Sequence, residues 1–103
     1  MATGLDVELV AVRHGITSWN LERRYQGQRD IPLLFPDAEA GLLALRDALA
    51  SERFDAIHAS DLGRCQETLA WSQAAKPGMP VYREPRLREL DFGEYEGKVY
   101  DEL

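Results

Sequence analysis

A histidine stands directly after a short apolar run, where it could do chemistry. Residues 9–12 form the run, Leu-Val-Ala-Val, and Arg13-His14-Gly15 follows it. Neutral imidazole can attack phosphorus and form a covalent intermediate, and a neighbouring guanidinium can hold phosphate oxygens in a fork. Glycine lets another group or the backbone approach closely. The alternative is a histidine at a strand end with no catalytic role, and these three residues alone favour that alternative.

Strand and helix patterns alternate along the chain, which predicts an α/β protein with a mainly parallel sheet. Residues 9–12 are typical of a strand buried on both faces. The other expected elements are a helix from an N-cap at Asp37 to near Ser51, a strand at 56–59, a helix from near Leu62 to before Lys76, and a strand at 81–83. In an open parallel sheet, ligands bind beyond the carboxyl ends of the strands. The end of the first strand is therefore a suitable place for a functional histidine.

Apolar residues at helical spacing predict which face of each helix is buried. The first helix buries Ala38, Leu42, Leu45 and Leu49, and the second buries Leu62, Cys65 and Leu69 after the cap residues Ser60 and Asp61.

Two segments lack a clear strand or helix pattern. Residues 15–36 show little periodicity apart from a helical turn expected around 19–22, and loops of this length are commonly functional. Residues 97–103 are typical of the opening turns of a helix, and the chain ends inside that pattern. We therefore expect the sequence to be part of a longer protein.

Composition narrows the class of protein. The 103 residues are 45% hydrophobic and 29% charged, which is typical of one globular domain. A net charge of −6 argues against nucleic acid or an anionic membrane surface as a partner. No apolar run approaches the roughly 20 residues of a transmembrane helix. Cys65 is the single cysteine, which fits a reducing, cytoplasmic location.

Three blocks of sequence resemble the histidine phosphatase, or phosphoglycerate mutase-like, superfamily. They occur in the family's order and cover most of the chain: residues 13–20 with 26–33, residues 60–68, and residues 87–97. The resemblance implies a three-layer α/β sandwich around a mainly parallel sheet. It also implies that residues 1–103 are the N-terminal part of one histidine phosphatase domain.

The resemblance also implies a role for each matching residue. His14 corresponds to the nucleophile, Arg13 and Arg64 to the arginines that clamp the phosphoryl group, Glu89 to the general acid, and Thr17, Asn20, Gln26 and Gly27 to substrate-binding positions. In-line phosphoryl transfer needs a positioned nucleophile, fixed positive charge and a proton for the leaving oxygen. We therefore expect phosphomonoester hydrolysis through phosphohistidine, with a small phosphorylated metabolite as substrate. Arginine would supply the charge, so we expect neither a metal ion nor another cofactor.

Departures from the family pattern leave alternatives open. The family's second catalytic histidine, in a C-terminal His-Gly block, has no counterpart here, so the chain is either truncated or a degenerate, non-catalytic phosphate-binding domain. Residues 91–97 resemble the small phosphatases of the α-ribazole phosphatase and broad-specificity types, which favours a phosphatase over a phosphoglycerate-type mutase. If a strand beside that of His14 is missing, the open sheet edge favours homo-oligomers formed by strand swapping.

Five other residues have simpler explanations than catalysis. His58 lies within a predicted strand and is expected to be packed or capped. Cys65 is expected to pack in the core, and Trp19 is expected to anchor the loop. Glu94 and Glu96 lie in an acidic run, and such residues are usually solvated.

Overall fold

The computed structural model describes residues 7–100, and its elements follow an α/β order. The helices are α1 (Ser18–Leu21), α2 (Glu39–Leu49) and α3 (Gly63–Ser72), and the strands are β1 (Ile57–Ala59) and β2 (Val81–Arg83). Two 3-10 turns follow at Pro85–Leu87 and Gly93–Tyr95. The expected helical turn in the long loop is present as α1, and β2 has the predicted bounds.

The two strands form a parallel sheet, as the alternating pattern predicts. Ile57 pairs with Val81 and Ala59 pairs with Arg83. The ladder continues past β2, where the Glu84 N–H donates to the Ala59 carbonyl at 2.7 Å. Because the strands are parallel, the segments that follow them leave the sheet at the same edge. These segments carry Arg64 and Glu89.

The small apolar core lies under α2. Leu33, Ala38 and Leu42 form its buried cluster, and Trp71 of α3 packs against it. The prediction that Asp37 caps α2 is wrong. The N-cap is Ala38, which makes no side-chain capping bond, and only 2% of Ala38 is exposed. A position drawn into the core in this way suits a small apolar side chain.

The buried face of α3 is polar, against the apolar face predicted. Its buried residues are Arg64, Thr68 and Ser72, whereas Cys65 and Leu69 are only half-buried. The three buried residues repeat every fourth position, so they form one stripe along the helix. Leu62 is buried as predicted, but the rest of the predicted apolar stripe is not, because buried arginine, threonine and serine do not register in a hydrophobic pattern.

The start of α3 is capped from a distant loop. The Gly63 N–H donates to Asp30 Oδ1 at 2.8 Å, and the Leu62 N–H donates to Ser60 Oγ at 3.2 Å. The prediction that Ser60 and Asp61 cap this helix is wrong, because the N-cap is Leu62 and it makes no side-chain capping bond. Ser60 binds the N–H of Leu62 itself, and the Asp61 carboxylate is paired with Arg88.

The strand predicted at residues 9–12 is not formed in the part of the chain that the structure describes. Leu9 is 89% exposed and Val10 is 57% exposed, and β1 is hydrogen-bonded only to β2. A strand buried on both faces needs neighbours that cover and pair with it, and residues 7–100 provide none. Residues 8–12 and 56–60 instead line a groove of about 530 Å³.

The helix predicted over residues 97–103 does not begin at Gly97, and Tyr100 is the first residue of this segment with a helical (3-10) conformation. Val99 pairs with Arg24 in an isolated antiparallel bridge, and the Gly97 N–H donates to the Tyr25 carbonyl at 2.8 Å. Residues 101–103 lie outside the described part. Within residues 7–100, no helix is both long enough and apolar enough to span a bilayer.

Candidate active site

The local hydrogen bond of His14 selects one of its tautomers. Nδ1 lies 2.6 Å from the carbonyl oxygen of Gly15. A carbonyl only accepts, so Nδ1 carries the proton and Nε2 keeps its lone pair. Burial is the largest influence on the pKa of His14 and lowers it below the ordinary value, and the positive charges of Arg64 and Arg13 act in the same direction. The arrangement favours a neutral imidazole with a free Nε2.

Thr68 connects the His14 loop to α3. Its hydroxyl accepts from the Gly15 N–H at 2.9 Å and donates to the Arg64 carbonyl at 2.7 Å. Gly15 itself fits tightly, because a Cβ there would lie 3.2 Å from a methyl group of Leu42. The segment after His14 is thus held between the core and α3.

Arg64 is fully buried and lies at the centre of a hydrogen-bond network. Its Nη1 donates to the Arg29 carbonyl at 2.5 Å. Its Nη2 donates to the Gly27 carbonyl at 2.7 Å and to Glu89 Oε2 at 2.6 Å. Its Nε is buried without a hydrogen-bond partner among residues 7–100. An unpaired buried donor is costly, and an anion that accepted from it would remove that cost.

Thr17, Asn20 and Gln26 form a second polar group around α1. Thr17 is fully buried and its Oγ1 donates to Gln26 Oε1 at 2.6 Å. The Thr17 N–H donates to Asn20 Oδ1 at 2.9 Å, which completes a capping box at the start of α1. In this structure the three side chains hydrogen-bond to one another, and Gln26 leads directly into the loop that binds Arg64.

An ion pair fixes the segment that carries Glu89. Arg88 Nε donates to Asp61 Oδ1 at 2.6 Å and its Nη2 donates to Oδ2 at 2.5 Å, a bidentate arrangement. The Arg88 guanidinium lowers the pKa of the Asp61 carboxyl. Glu89 follows at once and is half-exposed, with 46% of its side chain accessible. Sequence reasoning missed this pair, because nothing in the pattern shows that residues 61 and 88 meet.

Some of the expected site residues are therefore in direct contact, and others are not. Arg64, Glu89 and Gly27 are joined directly, and the electrostatic influence of Arg64, Glu89 and Arg13 reaches His14. Arg13 itself is exposed and makes no hydrogen bond or ion pair within the described residues.

The residues for which we expected no catalytic role differ in their burial and contacts. His58 is exposed and stacks on Tyr82, with ring centroids 4.9 Å apart. Cys65 is half-buried, and burial raises the pKa of its thiol, which disfavours the reactive thiolate. Trp19 packs beside Gly97, at 3.2 Å from the position of a Cβ there. The expectation that Glu96 is solvated is wrong, because its side chain is only 7% exposed.

The environment of Glu96 explains its burial. Its Oε2 accepts from the Gln28 N–H at 3.0 Å and from the Phe92 N–H at 3.2 Å. No sequence signal distinguished it from its neighbour Glu94, which is exposed. Across residues 7–100, no group of three His, Cys, Asp or Glu side chains is arranged to hold a metal ion.

Known proteins resemble this chain in sequence and in structure. A protein named "Probable phosphoglycerate mutase GpmB", from Enterobacter sp. (strain 638), is 42% identical over 99 residues, which are 94% of this chain and 44% of the relative. The solved structure of YhfR from Bacillus stearothermophilus is 39% identical with a TM-score of 0.76, and the match covers 87% of this chain and 44% of that one. A mycobacterial glucosyl-3-phosphoglycerate phosphatase, solved with VO3, is 29% identical with a TM-score of 0.73, over 85% of this chain and 43% of that one.

This chain thus spans less than half the length of the relatives that it matches. Residues 9–103 match the histidine phosphatase superfamily (branch 1). Together with relatives that share the phosphoglycerate mutase fold, the match identifies the chain as a member of the histidine phosphatase superfamily.

Proposed function

We propose that this chain is the N-terminal part of a phosphatase domain that hydrolyses phosphomonoesters through a phosphohistidine. His14 Nε2 attacks phosphorus, the bond from phosphorus to the ester oxygen breaks, and water later cleaves the P–N bond. Arg64 and Arg13 neutralise the charge on the phosphoryl oxygens. The observation that carries the proposal is the bond from His14 Nδ1 to the Gly15 carbonyl, since it leaves Nε2 as the nucleophilic nitrogen.

Glu89 is the residue that we propose donates a proton to the leaving oxygen. In this structure its carboxylate accepts from Arg64 Nη2 at 2.6 Å. An incoming phosphate that takes over the Arg64 donors would release this carboxylate from the ion pair. A released Glu89 could then carry a proton to the departing alkoxide, as general acid catalysis requires. Thr17, Asn20, Gln26 and Gly27 complete the proposed substrate side.

Labelling with a phosphorylated substrate tests the nucleophile. The parent protein should form an acid-labile phosphoenzyme in a rapid-quench experiment, and His14→Ala should abolish both the label and turnover. His58→Ala is the matched control, because His58 is exposed and outside the proposed site. Label that survives in His14→Ala, or that is lost in His58→Ala, would refute the assignment of His14.

A phosphoglycerate-type mutase is the second candidate, and the relatives named phosphoglycerate mutase favour it. Both candidates use the same nucleophile and differ in the fate of the phosphoryl group. With a phosphorylated sugar acid as substrate, a phosphatase releases inorganic phosphate, whereas a mutase returns the phosphate to another hydroxyl of the same molecule. Product analysis by phosphorus NMR distinguishes the two.

Metal independence and cellular location belong to the same proposal. Two arginines supply positive charge at the proposed site, so we expect EDTA to leave turnover unchanged. A small phosphorylated metabolite in the cytoplasm is the proposed substrate, since one cysteine fits a reducing compartment and the acidic net charge disfavours nucleic acid. Loss of turnover in EDTA that Mg²⁺ restores would contradict metal independence.

The groove beside β1 supports self-association of this chain by strand exchange. β1 is hydrogen-bonded to β2 on one side only, and the groove on its other side is lined by residues 8–12, which include the exposed Leu9 and Val10. Free backbone groups beside apolar surface form a template for another strand. A strand from a second copy of the chain is the proposed occupant.

A further inference from the structure

Glu96 is a buried carboxylate that the proposed chemistry does not use. Its side chain is 7% exposed, although it lies two residues from the exposed Glu94. Burying a charge is costly unless it is hydrogen-bonded or paired. Oε2 accepts two backbone N–H groups, from Gln28 and Phe92, and Oε1 lies 3.5 Å from Arg29 Nε.

The two N–H groups belong to different loops, which Glu96 therefore joins. Gln28 lies in the loop whose Gly27 and Arg29 carbonyls accept from Arg64. Phe92 lies three residues after Glu89, the third acceptor of the Arg64 guanidinium. All three acceptors of Arg64 are thus within three residues of an N–H group that Glu96 binds. A second contact joins the same loops, since Gln28 Nε2 donates to the Glu89 carbonyl at 3.3 Å.

The backbone of Gly27 is shaped to this carboxylate. Its φ is +56°, a conformation that favours glycine. A Cβ at this position would overlap Glu96 Oε2 and would lie 2.9 Å from the Leu90 carbonyl oxygen. Gly27 thus allows the close approach between the loops that the Glu96 contact requires.

We propose that Glu96 is a positioning residue, which holds the Gln28 and Phe92 loops together so that the Arg64 guanidinium is preset to bind a phosphoryl group. The inference rests on the proposed function in one respect only, which is that the bound anion is a phosphoryl group. Glu96 does not touch substrate in this proposal. It acts through the carbonyls of Gly27 and Arg29 and through the placement of Glu89.

The test compares Glu96→Ala with Glu96→Gln in the 103-residue chain. Alanine removes both amide bonds, whereas a glutamine oxygen at the Oε2 position keeps both. Glu94→Ala is the matched control, because it removes an exposed carboxylate from the 3-10 turn that Glu96 ends. The readouts are hydrogen exchange of the Gln28 and Phe92 amides, exchange of the Arg64 side-chain N–H protons, and the dissociation constant for orthovanadate, a phosphate analogue.

Glu96→Ala should lose protection at both amides and speed the exchange of the Arg64 N–H protons. It should weaken orthovanadate binding by roughly tenfold or more, the scale of losing hydrogen bonds to a charged group. Glu96→Gln should restore protection and most of the affinity, and Glu94→Ala should match the parent. Slow hydrogen exchange of the α2 amides shows that a variant is folded. If Glu96→Ala does not fold, Glu96→Asp takes its place, because it withdraws the carboxylate by one methylene.

Loss of amide protection in Glu96→Ala with slow Arg64 exchange and unchanged orthovanadate affinity would overturn the inference. Failure of the proposed function is a separate result. If the parent chain does not bind orthovanadate, phosphate recognition by these residues fails, whereas the exchange measurements at Gln28, Phe92 and Arg64 still decide whether Glu96 positions the guanidinium.

Discussion

Thr68 and Gly15 lie far apart in the chain, yet the Thr68 hydroxyl accepts the Gly15 N–H at 2.9 Å. The same hydroxyl donates to the Arg64 carbonyl at 2.7 Å. One buried side chain thus ties the segment after the proposed nucleophile to the helix that carries the proposed phosphate-binding arginine.

Thr68→Val should destabilise the chain, because valine has the shape of threonine but leaves the Gly15 N–H without a partner. An unsatisfied buried donor costs about 1–3 kcal/mol. Thr68→Ser retains the hydroxyl and should lose less stability. Urea unfolding of the three proteins measures the difference. Equal stability of the valine and serine variants would show that the hydroxyl contributes nothing.

The depressed pKa of His14 predicts how stability depends on pH. The unfolded chain binds a proton near the ordinary pKa of 6.5, whereas burial keeps the folded histidine neutral to lower pH. The stabilisation from neutral His14 is therefore fully present above about 6.5 and is lost as the pH falls towards the folded pKa. Urea midpoints measured across this range should fall less steeply in His14→Gln than in the parent. If the urea midpoint depended on pH equally in His14→Gln and in the parent, the lowered pKa of His14 would be contradicted.

Glu89→Gln should slow hydrolysis most for substrates with poor leaving groups. A general acid matters most when the departing oxygen is strongly basic, so alkyl phosphates should lose far more rate than p-nitrophenyl phosphate. The ratio of the two kcat/KM values measures the effect. Equal losses on both substrates would make Glu89 a structural partner of Arg64 only.

Val10→Lys should reduce self-association of the chain. Val10 lines the groove beside the free edge of β1, and a charge placed in this groove opposes pairing of that edge with another chain. Val7→Lys is the matched control, because Val7 is exposed but does not line the groove. Sedimentation velocity should show association in the parent and in Val7→Lys, and less of it in Val10→Lys. A parent chain that remains monomeric would refute strand exchange.

The sequence predicts the helices and the paired strands of this fold well, because local patterns determine them. β2 has the predicted bounds, and α2 ends close to the predicted Ser51. Residues 9–12 fail as a strand because hydrophobicity predicts burial only where other elements supply cover, and residues 7–100 leave Leu9 exposed. Hydrophobic periodicity also cannot indicate that α3 buries Arg64 and Thr68.

The site was predicted as a set of residue types, and the structure adds which of them touch. The sequence singled out Arg64 and Glu89 separately, and their 2.6 Å contact could not be predicted from spacing. The sequence pattern predicts a solvated Glu96, because the two glutamates on either side of Tyr95 look alike in sequence. Only the three-dimensional approach of the Gln28 and Phe92 amides distinguishes it from Glu94.

The polar buried face of α3 has a thermodynamic consequence. Exposing apolar surface on unfolding raises the heat capacity, whereas exposing polar surface lowers it. Contacts made through Arg64, Thr68 and Ser72 therefore add little to the heat-capacity change, while the cluster under α2 adds to it. Because Trp71 docks α3 on that same cluster, the two helices should unfold together. The buried polar stripe should then flatten the temperature dependence of the free energy of unfolding of the whole chain.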